Sequence, residues 1–400
     1  MRIAYVAPYQ GPELLRRRPI VRNLALAGNV KIELIAESLR QANHRVDVLS
    51  QGEVVDHRVT FYPAFAEPEP FRSDVPIRYA SVIPIRFVNG AWSSMRTLSL
   101  FKRQHRAAPY DLVIIYNLKP PQVACARYAI RRLGVPVVLE YEDDAFVDVW
   151  GEPERGFRAR WYLDSARDIL TSVSGVIGVS PYLLSRFPPS LPSVLLRGVV
   201  DDDVISAGTR SLMARNNWVV FSGTHYRSKG LEPLITAWKM LDLPGWELHI
   251  AGRGELTPRL ETMAADSKSI VFHGLLNRQQ NARLLGEAKI GINPHDVGLI
   301  PGNVFAFKII EYLAAGAHCI TTPMGSLEPE LEAGVTYMPD NSPETVAATL
   351  KRVVEDHHYE RLAAKAAQAT YGAEAVSNSL DRLLDQVVTT KAERRKGTTS

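Results

Sequence analysis

The sequence contains very little cysteine: Cys125 and Cys319 are the only two in 400 residues, and they lie far apart. So few thiols exclude a disulfide framework and a cysteine-based zinc site, and they are typical of a reducing cytosol. Long apolar runs are also missing, since no stretch approaches the roughly 18 apolar residues of a membrane-spanning helix. The apolar run before Pro8 is too short for a signal peptide. These absences predict a soluble, cytoplasmic protein.

A large excess of one charge is missing as well. The chain has 47 Lys and Arg residues against 43 Asp and Glu residues, a net charge of +4. This balance is too small to indicate a nucleic-acid partner, although it suits anionic substrates or contact with an anionic membrane. A composition of 46% hydrophobic and 22% charged residues is ordinary for a folded protein and excludes wholesale disorder.

Short apolar runs alternate with helical patterns along most of the chain. The runs that predict strands are Arg2–Ala7, Arg45–Ser50, Arg58–Phe65, Asp111–Tyr116, Val135–Glu140, Gly175–Ser180, Trp218–Ser222, Trp246–Ala251, Ile270–His273, Ile290–Asn293 and His318–Thr321. Runs that are apolar on both faces and separated by helices favour parallel sheets covered on both sides. The rhythm breaks at a proline-rich stretch near Ser193 and then restarts, which predicts two domains.

The predicted fold is therefore α/β, with two doubly wound Rossmann-like domains facing a cleft. We expect the first domain over residues 1–200 and the second over 201–372. Residues 373–400 are predicted to form a helix that could cross back to the first domain, followed by a frayed, charged tail. In sheets of this kind, ligands bind beyond the carboxyl ends of the strands.

The segment Phe221–Leu241 contains the first candidate binding motif. A strand ends, a loop with Gly223 and Gly230 follows, and a helix begins. Backbone N–H groups at that helix start, with Arg227 and Lys229 beside them, would suit a phosphate or diphosphate. The spacing does not match a P-loop, in which Gly-Lys is followed directly by Ser or Thr. The alternative is a glycine-containing turn with solvated basic residues.

The second motif lies in the segment Gly298–Pro323, which predicts a loop followed by a helix over Val304–Ala315. Lys308 and Glu311 are three residues apart and so share one face of that helix, where apolar residues surround them. Because charges are costly to bury unless they are paired or bind a ligand, this placement favours a binding role. The alternative is a Lys308–Glu311 ion pair on the solvent face.

Together these segments resemble the C-terminal domain of the family 4 glycosyltransferases, which have the GT-B fold. The family has a Gly-x5-Lys-Gly loop, matched from Gly223 to Gly230. It also has a Glu-x7-Glu helix that often ends Glu-Tyr-Leu-Ala-x-Gly, matched over Glu311–Gly316. The segments Glu247–Glu255 and Val271–Leu276 resemble the family's Gly-x-Gly and nucleobase-facing segments.

The resemblance implies a nucleotide-diphosphate sugar as co-substrate, with no further cofactor. Lys229 would pair with the diphosphate as it leaves, and Glu311 would accept hydrogen bonds from the ribose hydroxyls. The positions implied on the donor side are Gly223, Thr224, His225, Arg227, Lys229, Gly274, Leu275, Gly302, Asn303, Val304, Phe305, Lys308 and Glu311.

Two of these positions depart from the family pattern. Asn303 replaces the first Glu of Glu-x7-Glu, although an amide can still bind a sugar hydroxyl. Thr224 replaces the family's Arg, so one diphosphate cation is missing unless Arg227 or Lys308 supplies it. In the first domain, Gly28 is placed where the family has a glycine loop before its first helix, near donor phosphate and acceptor.

Three acids follow the predicted strand Val135–Glu140 at its carboxyl end. One of them, Glu142 or Asp143, could orient or deprotonate an acceptor hydroxyl. The alternative is that Asp143 or Asp144 caps the next helix.

These features predict a retaining hexosyltransferase that transfers a sugar to a glycan, lipid-linked or small-molecule acceptor. The alternatives are a GT-B-type sugar-nucleotide epimerase and a non-catalytic sugar-nucleotide-binding subunit. No cluster of His, Asp and Cys has metal-ligand spacing, so we expect no bound metal. Basic, partly apolar residues over Leu14–Pro19 and Arg86–Arg106 suggest peripheral contact with the inner face of a membrane, or else a packed amphipathic helix.

Overall fold

The computed structural model describes residues 1–18, 26–52, 60–67, 75–85, 89–143, 146, 157–209, 214–299, 305–356 and 362–397. The chain divides into two compact units. The first comprises Met1–Asp148, Glu152–Gly198 and Val376–Ser400, and the second comprises Val149–Gly151 and Val199–Ala375. Within the described ranges each unit is built on one mostly parallel sheet with helices, so the predicted fold class is confirmed.

The first unit contains an eight-stranded sheet. Its strands are β1 (Arg2–Val6), β2 (Arg45–Ser50), β3 (Phe65–Glu67), β4 (Ile77–Tyr79), β5 (Leu112–Tyr116), β6 (Val137–Tyr141), β7 (Gly175–Gly178) and β8 (Ser193–Leu195). Its helices up to residue 198 are α1 (Pro12–Arg17), α2 (Leu26–Gln41), α3 (Asn89–Ala107), α4 (Pro120–Tyr128), α5 (Phe157–Leu170) and α6 (Pro181–Leu184). The strand order is β3-β4-β2-β1-β5-β6-β7-β8, and only the β3–β4 pair is antiparallel among these described strands.

The second unit has a six-stranded parallel sheet of strands β9 (Asn216–Ser222), β10 (Glu247–Ala251), β11 (Ile270–Gly274), β12 (Ala288–Asn293), β13 (His318–Thr321) and β14 (Val335–Tyr337). Its helices are α7 (Asp202–Ala207), α8 (Leu231–Met240), α9 (Thr257–Ala264), α10 (Arg278–Glu287), α11 (Lys308–Ala314), α12 (Pro329–Glu332), α13 (Pro343–Asp356) and α14 (Leu362–Tyr371). The strand order is β11-β10-β9-β12-β13-β14. Strands β10 and β11 are added on one side of β9 and strands β12 to β14 on its other side, so the order reverses between β9 and β12. Such a reversal opens a crevice at the carboxyl ends of the two strands.

The sequence explains why these central strands form. The apolar side chains of β9, β10 and β12 fall into two buried clusters: one holds larger residues such as Val219, Leu248 and Ile290, and the other holds Val220, Ala251 and Ala288. Val219 and Val220, which are neighbours in β9, therefore belong to separate clusters on opposite faces. Polar residues stand at the carboxyl ends of β9 and β12, Ser222 and Asn293, which is where the loops discussed below begin.

The last helix, α15 (Ala373–Gly397), belongs to the first unit from Val376 onward. There the Asp381 carboxylate lies 3.1 Å from His44 Nε2, and Lys391 Nζ donates a hydrogen bond to the carbonyl of Gly134. The charged tail that the sequence predicts to be frayed starts at residue 391, but its residues 391–397 continue the helix. No helix in the described part of the chain is long and apolar enough to cross a lipid bilayer.

Short strands at or next to the sheet edges account for most of the differences from the predicted elements. The sequence patterns missed β4, β8 and β14, each of three residues, because so few residues make no recognisable apolar run. The strand predicted over Arg58–Phe65 is wrong for its described residues 60–64, where only an isolated bridge from Tyr62 to Val82 is formed. The extended segment instead begins at Phe65, as β3.

Candidate functional site

The loop between β9 and α8 crosses the strand-order reversal of the second sheet. It contains a 3₁₀ turn over Arg227–Lys229 and ends at Gly230, which has a φ of +67°. A Cβ at Gly230 would lie 1.8 Å from the carbonyl oxygen of Pro294, just after β12. Only glycine permits this approach, so the loop is held against the end of β12.

A second close approach brings three loops together at the same edge. Gly223, with a φ of +154°, donates its N–H to the carbonyl of Ala251 at 3.0 Å. A Cβ at Gly252 would lie 1.8 Å from the carbonyl oxygen of Gly223. The Gly252 N–H in turn donates to the carbonyl of Gly274 at 2.7 Å. Gly274 is thus linked to Gly223 through the loop after β10.

Lys229 reaches the end of β12 through its side chain. Its Nζ lies 2.9 Å from Nε2 of His295, a residue that is only 2% exposed. Burial, reinforced by the nearby charges of Lys308 and Lys229, holds the pKa of His295 well below its ordinary value, so the ring is neutral and accepts the hydrogen bond. Burial also lowers the pKa of Lys229. Sequence reasoning missed His295, whose one signal is its position directly after a buried strand.

Lys308 places a second amine at this edge. Its Nζ is buried 3.8 Å from the centroid of the Phe221 ring, and a Cβ at Gly223 would lie 2.6 Å from it. No residue of the described ranges forms a hydrogen bond or an ion pair with it, so the alternative of a solvent-face pair with Glu311 is wrong. Burial, together with the charge of Lys229, holds the pKa of Lys308 well below its ordinary value.

Glu311 lies one turn after Lys308 in α11, which begins at Lys308 rather than at Val304. Burial raises the pKa of Glu311 to about 7, with Lys308 opposing the shift and Asp201 adding to it. Asp201 is itself ion-paired with Arg278. A carboxyl group with a pKa near neutral pH thus lies close to Lys308, one of the two amines that lack a paired counter-ion within the described structure.

The other predicted donor positions range from exposed to buried. Arg227 is exposed, and Leu275 is 49% exposed. His225 is buried, its Nδ1 lies 2.9 Å from Thr257 Oγ1, and burial lowers its pKa. Thr224 is half-buried in the loop, and half-buried Phe305 packs against the core of the unit. Gly302, Asn303 and Val304 lie outside the described residues.

In the first unit, Asn117 fixes the acids that follow β6. Its Oδ1 accepts hydrogen bonds from the backbone N–H groups of Glu142 at 2.7 Å and Asp143 at 3.1 Å, while its Nδ2 donates to Asp143 Oδ2 at 3.1 Å. The next helix within the described ranges, α5, begins at Phe157, and the residues directly after Asp143 lie outside those ranges, so the helix-capping alternative stays open. Asp144 lies outside the described residues.

Two residues that sequence reasoning missed complete this acidic cluster. Lys31, in α2, forms an ion pair with Glu142 and donates to the carbonyl of Arg197 at 3.3 Å. Glu140, the fourth residue of β6, accepts a hydrogen bond from the hydroxyl of Tyr5. The partners come from elements more than 100 residues apart, so no local spacing could have revealed them.

Gly28 requires a correction. It lies in the first turn of α2, which begins at Leu26, and not in a loop before the helix. The apolar spacing of the sequence predicts a helix over Val30–Ala42, a start that is too late, because the preceding Leu-Ala-Gly-Asn segment continues the helix without adding to its apolar stripe. A glycine loop like that of the family would have to lie before residue 26, and residues 19–25 are outside the described ranges.

A further property of the site concerns metals. Among the described residues, no group of three or more His, Cys, Asp and Glu side chains is arranged to hold a metal ion.

The second sheet has the strand order of nucleotide-binding doubly wound folds, with a cationic site at its reversal. The family model described as "Glycosyl transferases group 1" matches residues 216–356, and that described as "Glycosyl transferase 4-like domain" matches residues 28–188. The chain therefore belongs to the group 1, family 4-type glycosyltransferases. Among curated protein sequences, none matches significantly.

Solved structures share the fold of the chain over nearly its whole length. Sucrose-phosphate synthase from Thermosynechococcus elongatus has a TM-score of 0.70 at 17% identity, covering 98% of this chain and 100% of that one. Anabaena HepE in complex with UDP and glucose has a TM-score of 0.64 at 14% identity, covering 96% and 99%. A putative UDP-N-acetylglucosamine 2-epimerase from Listeria monocytogenes has a TM-score of 0.56 at 12% identity, covering 94% of each. At these identities the likeness concerns the fold alone.

The buried amine of Lys308, which has no partner in the described structure, should lower the free energy of unfolding while no anion is bound. Lys308→Met keeps the length of the side chain and removes the buried amine, so the free energy of unfolding should rise by about 1–3 kcal/mol in urea denaturation. Pyrophosphate should raise the melting temperature of the wild-type protein but not of this variant. The matched control is Lys239→Met, whose exposed amine pairs with Asp266 at 2.7 Å and should matter little. A destabilised Lys308→Met protein would contradict the assignment of an unneutralised charge.

Proposed function

We propose that the protein is a cytoplasmic, retaining hexosyltransferase that moves a sugar from a nucleoside-diphosphate sugar to a hydroxyl of a glycan, lipid-linked or small-molecule acceptor. The proposal includes neither a metal nor a further cofactor, and it allows contact with the inner face of a membrane but no nucleic-acid partner. The observation that carries it is the pair of amines, Lys229 and Lys308, at the strand-order reversal. Their uncompensated charge calls for a dianion such as a diphosphate.

Lys308 takes the place of the missing family cation in this proposal. The Arg that the family has directly after the first glycine is Thr224 here, but Lys308 Nζ lies beside Gly223 and therefore beside that position. Arg227 is exposed, so it would gain much less from neutralising a bound anion. Two lysines would stabilise the departing diphosphate as its bond to the sugar breaks.

Glu311 is proposed to bind the ribose of the donor. A carboxylate can accept hydrogen bonds from both ribose hydroxyls, and Glu311 follows Lys308 by one helical turn. HepE, which is described in complex with UDP and glucose, supports a nucleoside diphosphate as the class of ligand for this fold. The sugar-contact role of Asn303 stays part of the proposal on the family resemblance alone.

The acceptor is proposed to bind the first unit at Glu142. The acceptor oxygen would form a bond to the anomeric carbon, and the bond from that carbon to the diphosphate oxygen would break with its electron pair. The hydroxyl proton would pass to the Glu142 carboxylate, as general base. Glu142 is more buried than Asp143, which is exposed and held by Asn117, so Glu142 is the better placed of the two to act in a water-poor site.

The epimerase alternative shares the fold, as the Listeria protein illustrates. An epimerase would convert a sugar nucleotide into its epimer without any acceptor, whereas a transferase would release free nucleoside diphosphate in step with sugar transfer. A non-catalytic subunit would bind the nucleotide and do neither. Product analysis with and without acceptors separates the three functions.

Removing the Lys229 amine should weaken binding of the diphosphate far more than binding of the nucleoside. Lys229→Ala should lower the affinity for UDP, GDP or ADP, whichever binds, by about tenfold or more, since a charge-assisted contact contributes roughly 1.5–3 kcal/mol. The affinity for the corresponding nucleoside should change little. Calorimetric titration measures both. Arg227→Ala is the control and should have a small effect; equal losses for nucleoside and diphosphate would place Lys229 away from the phosphates.

The pKa of Glu311 predicts how its contribution depends on pH. Ribose binding uses the ionised carboxylate, and a pKa near 7 means that this form is lost as the pH falls through 7. Glu311→Gln should therefore weaken nucleoside-diphosphate binding by about tenfold at pH 8 but by less than about threefold at pH 6. The ratio of wild-type to variant affinity removes the titration of the lysines from the comparison. A ratio independent of pH would contradict the assignment.

A further inference from the structure

Glu140 has an unusual environment for a carboxyl group. It is 0% exposed, the hydroxyl of Tyr5 donates to its Oε2, and its Oε1 has no hydrogen-bond partner in the described structure. A buried carboxylate oxygen without a donor is costly, and buried polar atoms of this kind need a physical explanation. A protonated carboxyl resolves the problem, because Oε1 then carries a proton and donates a hydrogen bond itself.

The neighbouring acceptor is the carboxylate of Glu142. Glu142 lies two residues after Glu140, just past the end of β6, and each carboxyl group acts on the pKa of the other, so the two lie side by side. Lys31 forms an ion pair with Glu142. One lysine balances one carboxylate, and a second negative charge at this buried place would be uncompensated.

Other ionisable groups around the pair make two negative charges at this place still less favourable. Tyr5 of β1 and Tyr116 of β5 face the carboxyl groups, and Asp143 adds a further negative charge. Burial and the charge of Glu142 raise the pKa of Glu140 to about 8, while Lys31 opposes the shift. Two carboxyl groups in such a site retain one proton between them at neutral pH.

We propose that Glu140 is a positioning residue for Glu142: the two carboxyl groups share one proton, and the protonated Glu140 holds Glu142 as a single, oriented carboxylate that can receive the proton of an acceptor hydroxyl. The acceptor role rests on the proposed function, whereas the shared proton does not. The arrangement forms a chain from Tyr5 through Glu140 to Glu142 and Lys31.

The shared proton can be tested in the full-length protein without any activity assay. Glu140 holds its proton in the folded state up to about pH 8 but loses it near its ordinary pKa when unfolded, so its contribution to stability falls as the pH rises from 5 to 8. The melting temperature of the wild-type protein should therefore drop by about 5 °C or more relative to that of Glu140→Gln over this range. Glu142→Gln should remove the same pH dependence, because Glu140 would then ionise to pair with Lys31.

The control is Glu393→Gln, which alters an exposed carboxyl in α15 and should follow the wild-type curve. If the wild-type and Glu140→Gln curves run parallel from pH 5 to 8, the two carboxyl groups share no proton and the proposal is wrong.

The positioning role has its own readout. Glu140→Ala removes the donor to Glu142 and should lower kcat by about tenfold or more at pH 7 with little change in the KM for donor. Glu140→Gln keeps a donor and an acceptor and should restore most of the lost kcat, and its kcat should no longer decline as the pH passes 8. Loss of melting temperature in Glu140→Ala with unchanged kcat would overturn the role. Nucleoside-diphosphate binding, which none of these variants should alter, tests the proposed function separately.

Discussion

Lys229 and Lys308 place two amines at the strand-order reversal of the second sheet, and neither has a paired carboxylate in the described structure. The rest of this site depends on that constraint. Burying a charge without a counter-ion is unfavourable, and in the described structure the aromatic face of Phe221, the neutral ring of His295 and the nearby Glu311 offset part of that cost. Such an arrangement destabilises the free protein, and a bound anion would offset this cost by neutralising the two amines. The glycines at 223 and 230 follow from it, since a side chain at either place would collide with Lys308 or with the end of β12.

The first unit carries the opposite charge at the carboxyl-end edge of its own sheet. There, carboxyl groups gather at the end of β6, and a single lysine from α2 balances one of them. Asn117, in a left-handed conformation with a φ of +56°, ties down the backbone that carries them. In the proposed function, the cationic edge of the second unit would stabilise a leaving diphosphate, and the acidic edge of the first unit would accept a proton.

The sequence predicted the fold because parallel strands that are buried on both faces leave a clear local pattern. The placement of Lys229 in a loop and of Lys308 and Glu311 on an apolar helix could be anticipated from the local sequence. His295, Lys31 and Glu140 could not, because each is defined by a partner from a distant element. The late start of α11 and the helical position of Gly28 show a further limit: near a helix end, apolar periodicity does not determine where the first turn begins.

Proton uptake on nucleotide binding tests the account most directly. Burial lowers the pKa values of Lys229 and Lys308 in the free protein, and an anion beside these amines should raise them again, because it favours their charged form. Binding of a diphosphate should therefore be accompanied by proton uptake. Calorimetric titration with UDP, GDP or ADP in two buffers of different ionisation enthalpy measures that uptake. The account predicts net uptake by the wild-type protein and less by Lys308→Met; tight binding with the same enthalpy in both buffers would contradict it.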